Sequence, residues 1–216
     1  AHDVKIGSDG ITAVSIEGIA YISDAGQPNQ FALHSSDTFN LPYESVGRTE
    51  FAIAPSDPAI MYATVINDNG GLVNVYRSDN RGVNWRIIAP GGSDELNFFS
   101  PGGNVNQGLG LYENTLIVFP DNPDKILLGG VDMWEGVKIN ETGFFKWTQK
   151  SLGSIPPQVF PSYVPSGHHI YAFKPGTTSE IYVGHDAGIS VGSINSTNYD
   201  FITRNKTYTT GQFSTV

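Results

Sequence analysis

Two aspartates, Asp132 and Asp186, are the residues whose type and position best fit acid–base chemistry. Each follows a short apolar run typical of a β-strand, at 126–129 and 181–184, so we expect each just beyond a strand end. Strand ends that lie on the same side of a sheet assembly bring such side chains towards one cleft. Hydrolysis of a glycosidic bond needs two carboxylates, one with a raised pKa. Asp132 and Asp186 are therefore the candidate catalytic residues, although a simple Asx turn explains each of them and is favoured.

Three further residues are candidates for binding a ligand: Trp134, His168 and His185. Trp134 stands beside Gly136 in what reads as a loop, where an exposed ring could stack on a sugar. Histidines near a carboxylate suit several divalent cations. Because the adjacent residues His168 and His169 point to opposite faces of a strand, the sequence predicts no metal centre there.

Calcium is the one ion that the turns suggest. The oxygen-rich stretches 66–71 and 121–124 contain the ligand types that calcium prefers, but neither has the spacing of a calcium-binding loop. We expect ordinary turns there and no cofactor.

The composition narrows the function classes. The formal net charge is −9 and the 12 Lys and Arg residues are scattered, whereas a nucleic-acid surface needs a basic stripe. The absence of cysteine excludes disulfides and thiolate sites. No apolar run approaches 18 residues, so we expect no membrane-spanning segment. The 25 Gly and 13 Pro residues favour many short strands joined by turns.

Four similar units follow one another along the chain. Each reads as strand, turn, strand, loop, strand, polar turn and a last strand opened by an aromatic residue. The aromatic residues are Phe31, Trp85, Trp147 and Phe201. A four-stranded unit cannot bury both of its faces alone, so neighbouring units must stack. The prediction is an all-β protein, a β-propeller of four-stranded antiparallel blades.

The polar turn is best formed in the second unit, where it reads Ser78-x-Asn80-x-Gly82-x-x-Trp85. Ser78 and Asn80 can bond nearby backbone groups, Gly82 can take a positive φ, and Trp85 can anchor the hairpin.

This pattern resembles an Asp-box, the hairpin of bacterial neuraminidase-type repeats in β-propellers, with Asn80 in place of the usual aspartate. In that family the box is a folding device far from the active site. The segment 108–147 also resembles a blade of the sortilin-type and xyloglucanase-type propellers. The resemblance implies a secreted or cell-surface bacterial protein, and a parent chain with more blades than are present here.

The whole chain, 1–216, is predicted to be one propeller segment with blades at 1–47, 48–107, 108–153 and 166–209. Residues 210–216 resemble the first strand of a following blade. The long connections 30–47 and 90–107 could form walls of a binding cleft.

The absence of a nucleophile–base pair or metal cluster favours a recognition or scaffold module over an enzyme. Its partners would be glycans or proteins, bound at the channel mouth or the long loops. One alternative is part of the catalytic propeller of a polysaccharide-degrading glycoside hydrolase. Another is a structural component of a bacterial secretion or adhesion assembly.

Overall fold

The computed structural model describes residues 2–92, 96, 98–100, 106–140, 142–153, 163–195 and 198–205. Within these residues the chain is all-β, as predicted, and forms four antiparallel sheets of four consecutive strands each. Blade one contains β1 Asp3–Ile6, β2 Thr12–Ile16, β3 Ile19–Ser23 and β4 Ala32–Leu33. Blade two contains β5 Val46–Ile53, β6 Met61–Asn67, β7 Leu72–Ser78 and β8 Arg86–Pro90. Blade three contains β9 Thr115–Phe119, β10 Asn122–Gly129, β11 Met133–Lys138 and β12 Phe145–Gln149, and blade four contains β13 His168–Phe173, β14 Glu180–His185, β15 Gly188–Ile194 and β16 Tyr199–Thr203. Residues 210–216 lie outside the described residues.

Side-chain oxygens close the turn between the first and second strands of three blades. Asp9, Asp57 and Asn122 each accept a hydrogen bond from the backbone N–H two residues later, at 3.1, 3.2 and 2.9 Å. These are Asx turns, which explain why a polar residue interrupts two apolar runs at the same point of these three units.

The blades bury their apolar residues against one another. One core lies between blades one and two, another between blades two and three, and a third between blades three and four. The first strands contact in the order β1, β5, β9 and β13, and no comparable contact joins β13 back to β1 among the described strands. The described blades therefore form an arc around the inner strands.

The antiparallel order divides each blade into two ends. The start of the first strand, the turn between the second and third strands, and the end of the fourth strand lie at one end, which we call the loop face. The other two turns of each blade lie at the opposite end, the hairpin face. Asp132 follows β10 and Asp186 follows β14, so both lie on the loop face.

The polar hairpin of blade two lies on the hairpin face and has the predicted hydrogen bonds. Ser78 Oγ accepts from the backbone N–H of Gly82 at 2.9 Å, and Asn80 Oδ1 accepts from that of Asn84 at 2.9 Å. Gly82 has a φ of 81°. Trp85 is buried and packs near Phe51, with ring centroids 6.2 Å apart. The matching aromatic of blade one, Phe31, is exposed and does not anchor its turn.

The two end blades carry apolar rows on their outward faces. Cross-strand pairing aligns one residue from each strand of blade one, namely Val4, Val14, Tyr21 and Leu33. The corresponding row of blade four is Ala172, Tyr182, Val191 and Ile202. Both rows include side chains that are about half exposed or more, such as Val4 at 53% and Ile202 at 60%. Blades two and three, in contrast, pack against a neighbour on both faces.

None of the described helical turns is long or apolar enough to cross a membrane.

Candidate functional site

The loop face between blades three and four gathers four groups able to exchange protons: Glu113, Asp132, His169 and Asp186. Glu113 lies two positions before the first residue of β9, and His169 is the second residue of β13. The two aspartates lie in the turns β10–β11 and β14–β15. Segments from two blades therefore build this cluster, which we call the acidic site.

Backbone hydrogen bonds hold these segments together. The N–H groups of Gly167 and His168 donate to the carbonyls of Val131 and Gly130, at 3.3 and 2.8 Å, which ties the start of β13 to the turn that carries Asp132. The N–H of Asp186 in turn donates to the carbonyl of Gly167 at 3.0 Å. The turns of blades three and four are thereby fixed relative to each other.

Asp186 is oriented by a histidine and stands beside an aromatic ring. His169 Nε2–H donates to Asp186 Oδ1 at 2.7 Å. The ring of Tyr112 meets the ring of His169 edge-on, with centroids 4.6 Å apart. Tyr112 is 52% exposed and Asp186 is partly exposed. A ring, an imidazole and a carboxylate thus form one accessible surface.

Glu113 is the buried member of the acidic site, with 5% of its surface exposed. Its Oε2 atom has no hydrogen-bond partner. Burial, and to a smaller extent the negative charges of Asp186 and Asp132, raise the pKa of Glu113 to about 7. The sequence analysis did not predict Glu113 as a site residue. It could have been found from its position just before β9, the first strand of blade three, because the starts of first strands lie on the loop face with Asp132 and Asp186.

Asp132 is also buried, but its oxygens are used by its own blade. Oδ1 accepts from the N–H of Gly153 at 2.7 Å, and Oδ2 accepts from Gln149 Nε2 at 3.1 Å. Burial raises the pKa of Asp132. These bonds tie the β10–β11 turn to the chain that leaves β12, as expected of a turn residue.

The predicted binding histidines His168 and His185 lie inside the protein rather than on its surface. His168 is fully buried, with Nδ1 against the hydroxyl of Tyr171 and Nε2 3.1 Å from the carbonyl of Pro165. Burial lowers the pKa of His168 to about 3. His185 Nε2 bonds Ser190 Oγ at 2.9 Å, and burial lowers the pKa of its imidazole. Both rings pack as neutral side chains, whereas the neighbouring His169 is accessible at the acidic site.

Trp134 lies in strand β11, so the prediction of a loop setting was wrong. Its ring packs edge-on against Phe98, with centroids 5.2 Å apart, and is partly buried in the core between blades two and three. Side chains alternate between the two faces of β11, and Trp134 lies on the face that packs against blade two. The nearby Gly136 does not indicate a loop here.

A cavity of about 510 Å³ runs along the first strands of the blades, and His169 is part of its lining. Four charged side chains on β1 and β5 share this cavity and pair with each other. Lys5 contacts Asp3 and Glu50, the latter at 2.9 Å, and Arg48 Nη2 contacts Glu50 at 3.0 Å. The charges in this part of the wall are therefore mutually neutralised.

Arg48 also fastens the segment that carries Tyr112 and Glu113. Its Nη1 donates to the carbonyls of Leu111 and Tyr112, at 3.1 and 2.9 Å, and its Nη2 donates to that of Asn114 at 2.9 Å. A guanidinium with several donors in a fixed plane suits this role. The platform of Tyr112 is thus positioned by a residue of blade two.

The long connection between blades one and two lines a second cavity, of about 480 Å³, together with Tyr76 and Trp85. Half of the other predicted wall, 90–107, lies outside the described residues, namely 93–95, 97 and 101–105.

Among the described residues, no group of three or more acidic or histidine side chains has a geometry that could hold a metal ion. The side-chain oxygen of Asn67 in the predicted calcium turn accepts from the N–H groups of Asn69 and Gly71, at 2.9 and 3.0 Å. Asn122 acts in the same way in the other turn.

Searches among protein families and curated proteins find no match to this sequence. Solved structures are similar in fold. The GH74 enzyme of Niastella koreensis superposes with a TM-score of 0.59 at 16% identity, over 93% of this chain and 29% of that one. The GH74 xyloglucanase of Xanthomonas campestris gives a TM-score of 0.57 at 20% identity, over 91% of this chain and 29% of that one. A luciferin-regenerating enzyme gives a TM-score of 0.56 at 12% identity, over 93% of this chain and 60% of that one.

The chain spans less than a third of each of the two GH74 proteins. At these identities the likeness is one of fold, which is that of a β-propeller.

Proposed function

We propose that the loop face binds glycans and that the chain is the recognition part of a secreted or cell-surface β-propeller. The observation that carries the proposal is the exposed ring of Tyr112. This ring contacts the ring of His169 edge-on, next to the partly exposed carboxylate of Asp186. A sugar has an apolar face that stacks on an aromatic ring and hydroxyl groups that donate to a carboxylate. The adjoining cavity of about 510 Å³ has the size of a small-ligand site.

The fold is compatible with this proposal, because the structures similar to it include GH74 enzymes, one of which is a xyloglucanase. We also infer that the hairpin of Ser78, Asn80, Gly82 and Trp85 is a modified Asp-box. It stabilises blade two on the hairpin face and takes no part in binding.

The test is binding of the purified chain to a panel of oligosaccharides, measured by calorimetry on the unmodified protein and on two variants. Tyr112→Ala removes the platform and should weaken affinity about tenfold, which corresponds to about 1.4 kcal/mol. Phe144→Ala is the control, because Phe144 is an exposed aromatic residue in the β11–β12 turn on the opposite, hairpin face. Equal affinities of both variants would sink the proposed site. Absence of any glycan binding would leave protein partners, as in an adhesion or secretion assembly.

A second candidate function, hydrolysis of a glycosidic bond, is favoured by the unlike environments of Glu113 and Asp186. Glu113 is buried with a raised pKa, as suits a general acid, whereas Asp186 is partly exposed and hydrogen-bonded by His169. Glu113 would give its proton to the glycosidic oxygen as the C–O bond breaks. Asp186 would take a proton from the water that adds to the sugar carbon.

Release of reducing ends from polysaccharides tests this second candidate. Glu113→Gln and Asp186→Asn should each abolish it, while Asp57→Asn, an exposed aspartate on the hairpin face, should not. Glycan binding without any bond cleavage would leave recognition as the function.

A further inference from the structure

We infer that the acidic site selects glycans that carry a protonated amine, such as polymers of glucosamine, over neutral and acidic ones. The inference rests on the proposed glycan binding and adds the class of ligand. It concerns Glu113 and Asp186 on the loop face, with Tyr112 as the platform.

The first observation is the unpartnered oxygen of Glu113. The side chain is more than nine-tenths buried, and its Oε2 atom receives no hydrogen bond. Buried polar atoms in proteins nearly always have a partner, and an unmet acceptor costs about 1–3 kcal/mol. Only a hydrogen-bond donor can satisfy this atom when the carboxyl group is ionised.

The second observation is the balance of charge around the site. None of the ion pairs in the described part of the chain involves Glu113 or Asp132, and Asp186 pairs only with His169. The carboxyl groups of all three residues are close enough for Asp186 and Asp132 to disfavour ionisation of Glu113. A cationic group entering this site would reduce that repulsion.

The cations of neighbouring strands are engaged elsewhere. Arg48 bonds Glu50 and three backbone carbonyls. Lys125 and Lys150 both pair with Glu135, at 2.8 and 3.1 Å. His169 is therefore the one basic side chain that pairs with the acidic site among the described residues, and an ammonium group there has to come from a ligand.

The ring of Tyr112 suits the same ligand. An aromatic face attracts an ammonium group as well as the apolar face of a sugar. A glycan of uronic acids, in contrast, would bring a further negative charge to the three carboxyl groups, which is unfavourable at short range.

The experiment compares four oligosaccharides of equal length by calorimetry at low salt and about pH 5.5, where the sugar amine is protonated. The four are oligomers of glucosamine, N-acetylglucosamine, glucose and galacturonic acid. We expect the glucosamine oligomer to bind at least tenfold more tightly than the neutral ones, and the acidic one to bind most weakly. The preference should shrink in high salt, because screening weakens charge–charge attraction.

A second readout links the preference to Glu113. Binding of a cation should expel the proton that Glu113 holds, so the measured enthalpy should depend on the ionisation enthalpy of the buffer. Glu113→Gln should lose both the proton release and most of the tenfold preference. Asp57→Asn, which changes an exposed carboxylate in the β5–β6 turn on the hairpin face, should keep both.

The outcomes separate the two proposals. Equal affinity for amino and neutral sugars would overturn the selectivity while leaving glycan binding in place. Failure of all four oligosaccharides to bind would overturn the glycan-binding function itself. An undiminished preference in Glu113→Gln would remove Glu113 from the explanation.

Discussion

The carboxyl group of Asp186 lies directly over the backbone of Gly167: a Cβ atom at this glycine would stand 2.5 Å from the carboxyl carbon. Gly167 also has a φ of 82°, which other residues rarely adopt. We expect Gly167→Ala to push Asp186 away from His169 and to lower the free energy of unfolding by about 2–4 kcal/mol. Glycan affinity should fall as well.

Gly176→Ala is the control for this prediction. Gly176 has a φ of 79°, and a Cβ atom there would meet nothing within 4 Å. The variant therefore carries the backbone cost, about 1 kcal/mol, without the contact with a carboxylate. Equal losses of stability in urea denaturation of the two variants would contradict a specific role for Gly167.

Glu113→Gln should stabilise the protein at high pH. The folded-state pKa of Glu113, about 7, lies above its ordinary value, so the folded protein holds this proton more tightly than the unfolded chain. At low pH, Glu113 is protonated in both the folded and the unfolded wild type, so its burial causes no loss of stability. The free energy of unfolding then decreases as pH rises towards and through 7. The shift corresponds to about 3 kcal/mol above pH 8.

Denaturation curves at about pH 4.5 and 8 measure this effect. The stability gain of Glu113→Gln over the wild type should be near zero at the lower pH and largest at the higher one. Asp121→Asn, at an exposed position on the hairpin face, should show no such difference. A gain that is independent of pH would argue against an ionising Glu113.

Ser78→Ala should destabilise the blade-two hairpin by about 2 kcal/mol. The buried Ser78 hydroxyl accepts from the N–H of Gly82 at 2.9 Å and donates to Asn80 Oδ1 at 2.9 Å. Its loss leaves the Gly82 N–H without this acceptor and removes one of the two hydrogen bonds to Asn80 Oδ1. Glycan binding of the folded variant should stay unchanged, because the hairpin lies on the opposite face. Ser8→Ala, at an exposed serine on that face, provides the comparison by thermal unfolding.

Arg77→Leu should cost about 3–5 kcal/mol, because Arg77 is buried and joins blade two to blade three. Its guanidinium contacts Asp79 and Asp124, each at 2.6 Å, and lies 5.3 Å from the ring centre of Tyr62. Removal of the arginine leaves the partly buried Asp124 with only Lys138, at 3.5 Å, as a cationic partner. The double variant Arg77→Leu/Asp124→Leu should recover part of the loss in a double-mutant cycle. Purely additive effects would contradict coupling across the blades.

Local patterns predicted the fold well, because each blade repeats a local order of strands and turns. The turn residues Asp9, Asp57 and Asn122 and the hairpin of Ser78 act through neighbours within a few positions along the chain. Such contacts can be read from spacing alone. The four-stranded sheets follow from them, since alternating strands joined by short turns pair in sequence.

The acidic site could be predicted only in part. Asp132 and Asp186 were placed on one face because strand direction fixes the positions of turns. Glu113 was missed, since its burial and its charge environment come from residues far away in the sequence. The same reasoning could not distinguish the buried rings of His168 and His185 from surface rings. The placement of Trp134 depended on the residue at which β11 begins.

The apolar rows on the outward faces of blades one and four imply an uneven resistance to amide hydrogen exchange. Blades two and three have neighbours on both sides, so opening them exposes two interfaces, whereas opening an end blade exposes one. In stacked repeats, the opening free energy follows the number of such interfaces. In this chain alone, amides of β6 and β10 should therefore exchange by global unfolding, while those of β2 and β14 exchange through smaller, separate openings of the outer blades.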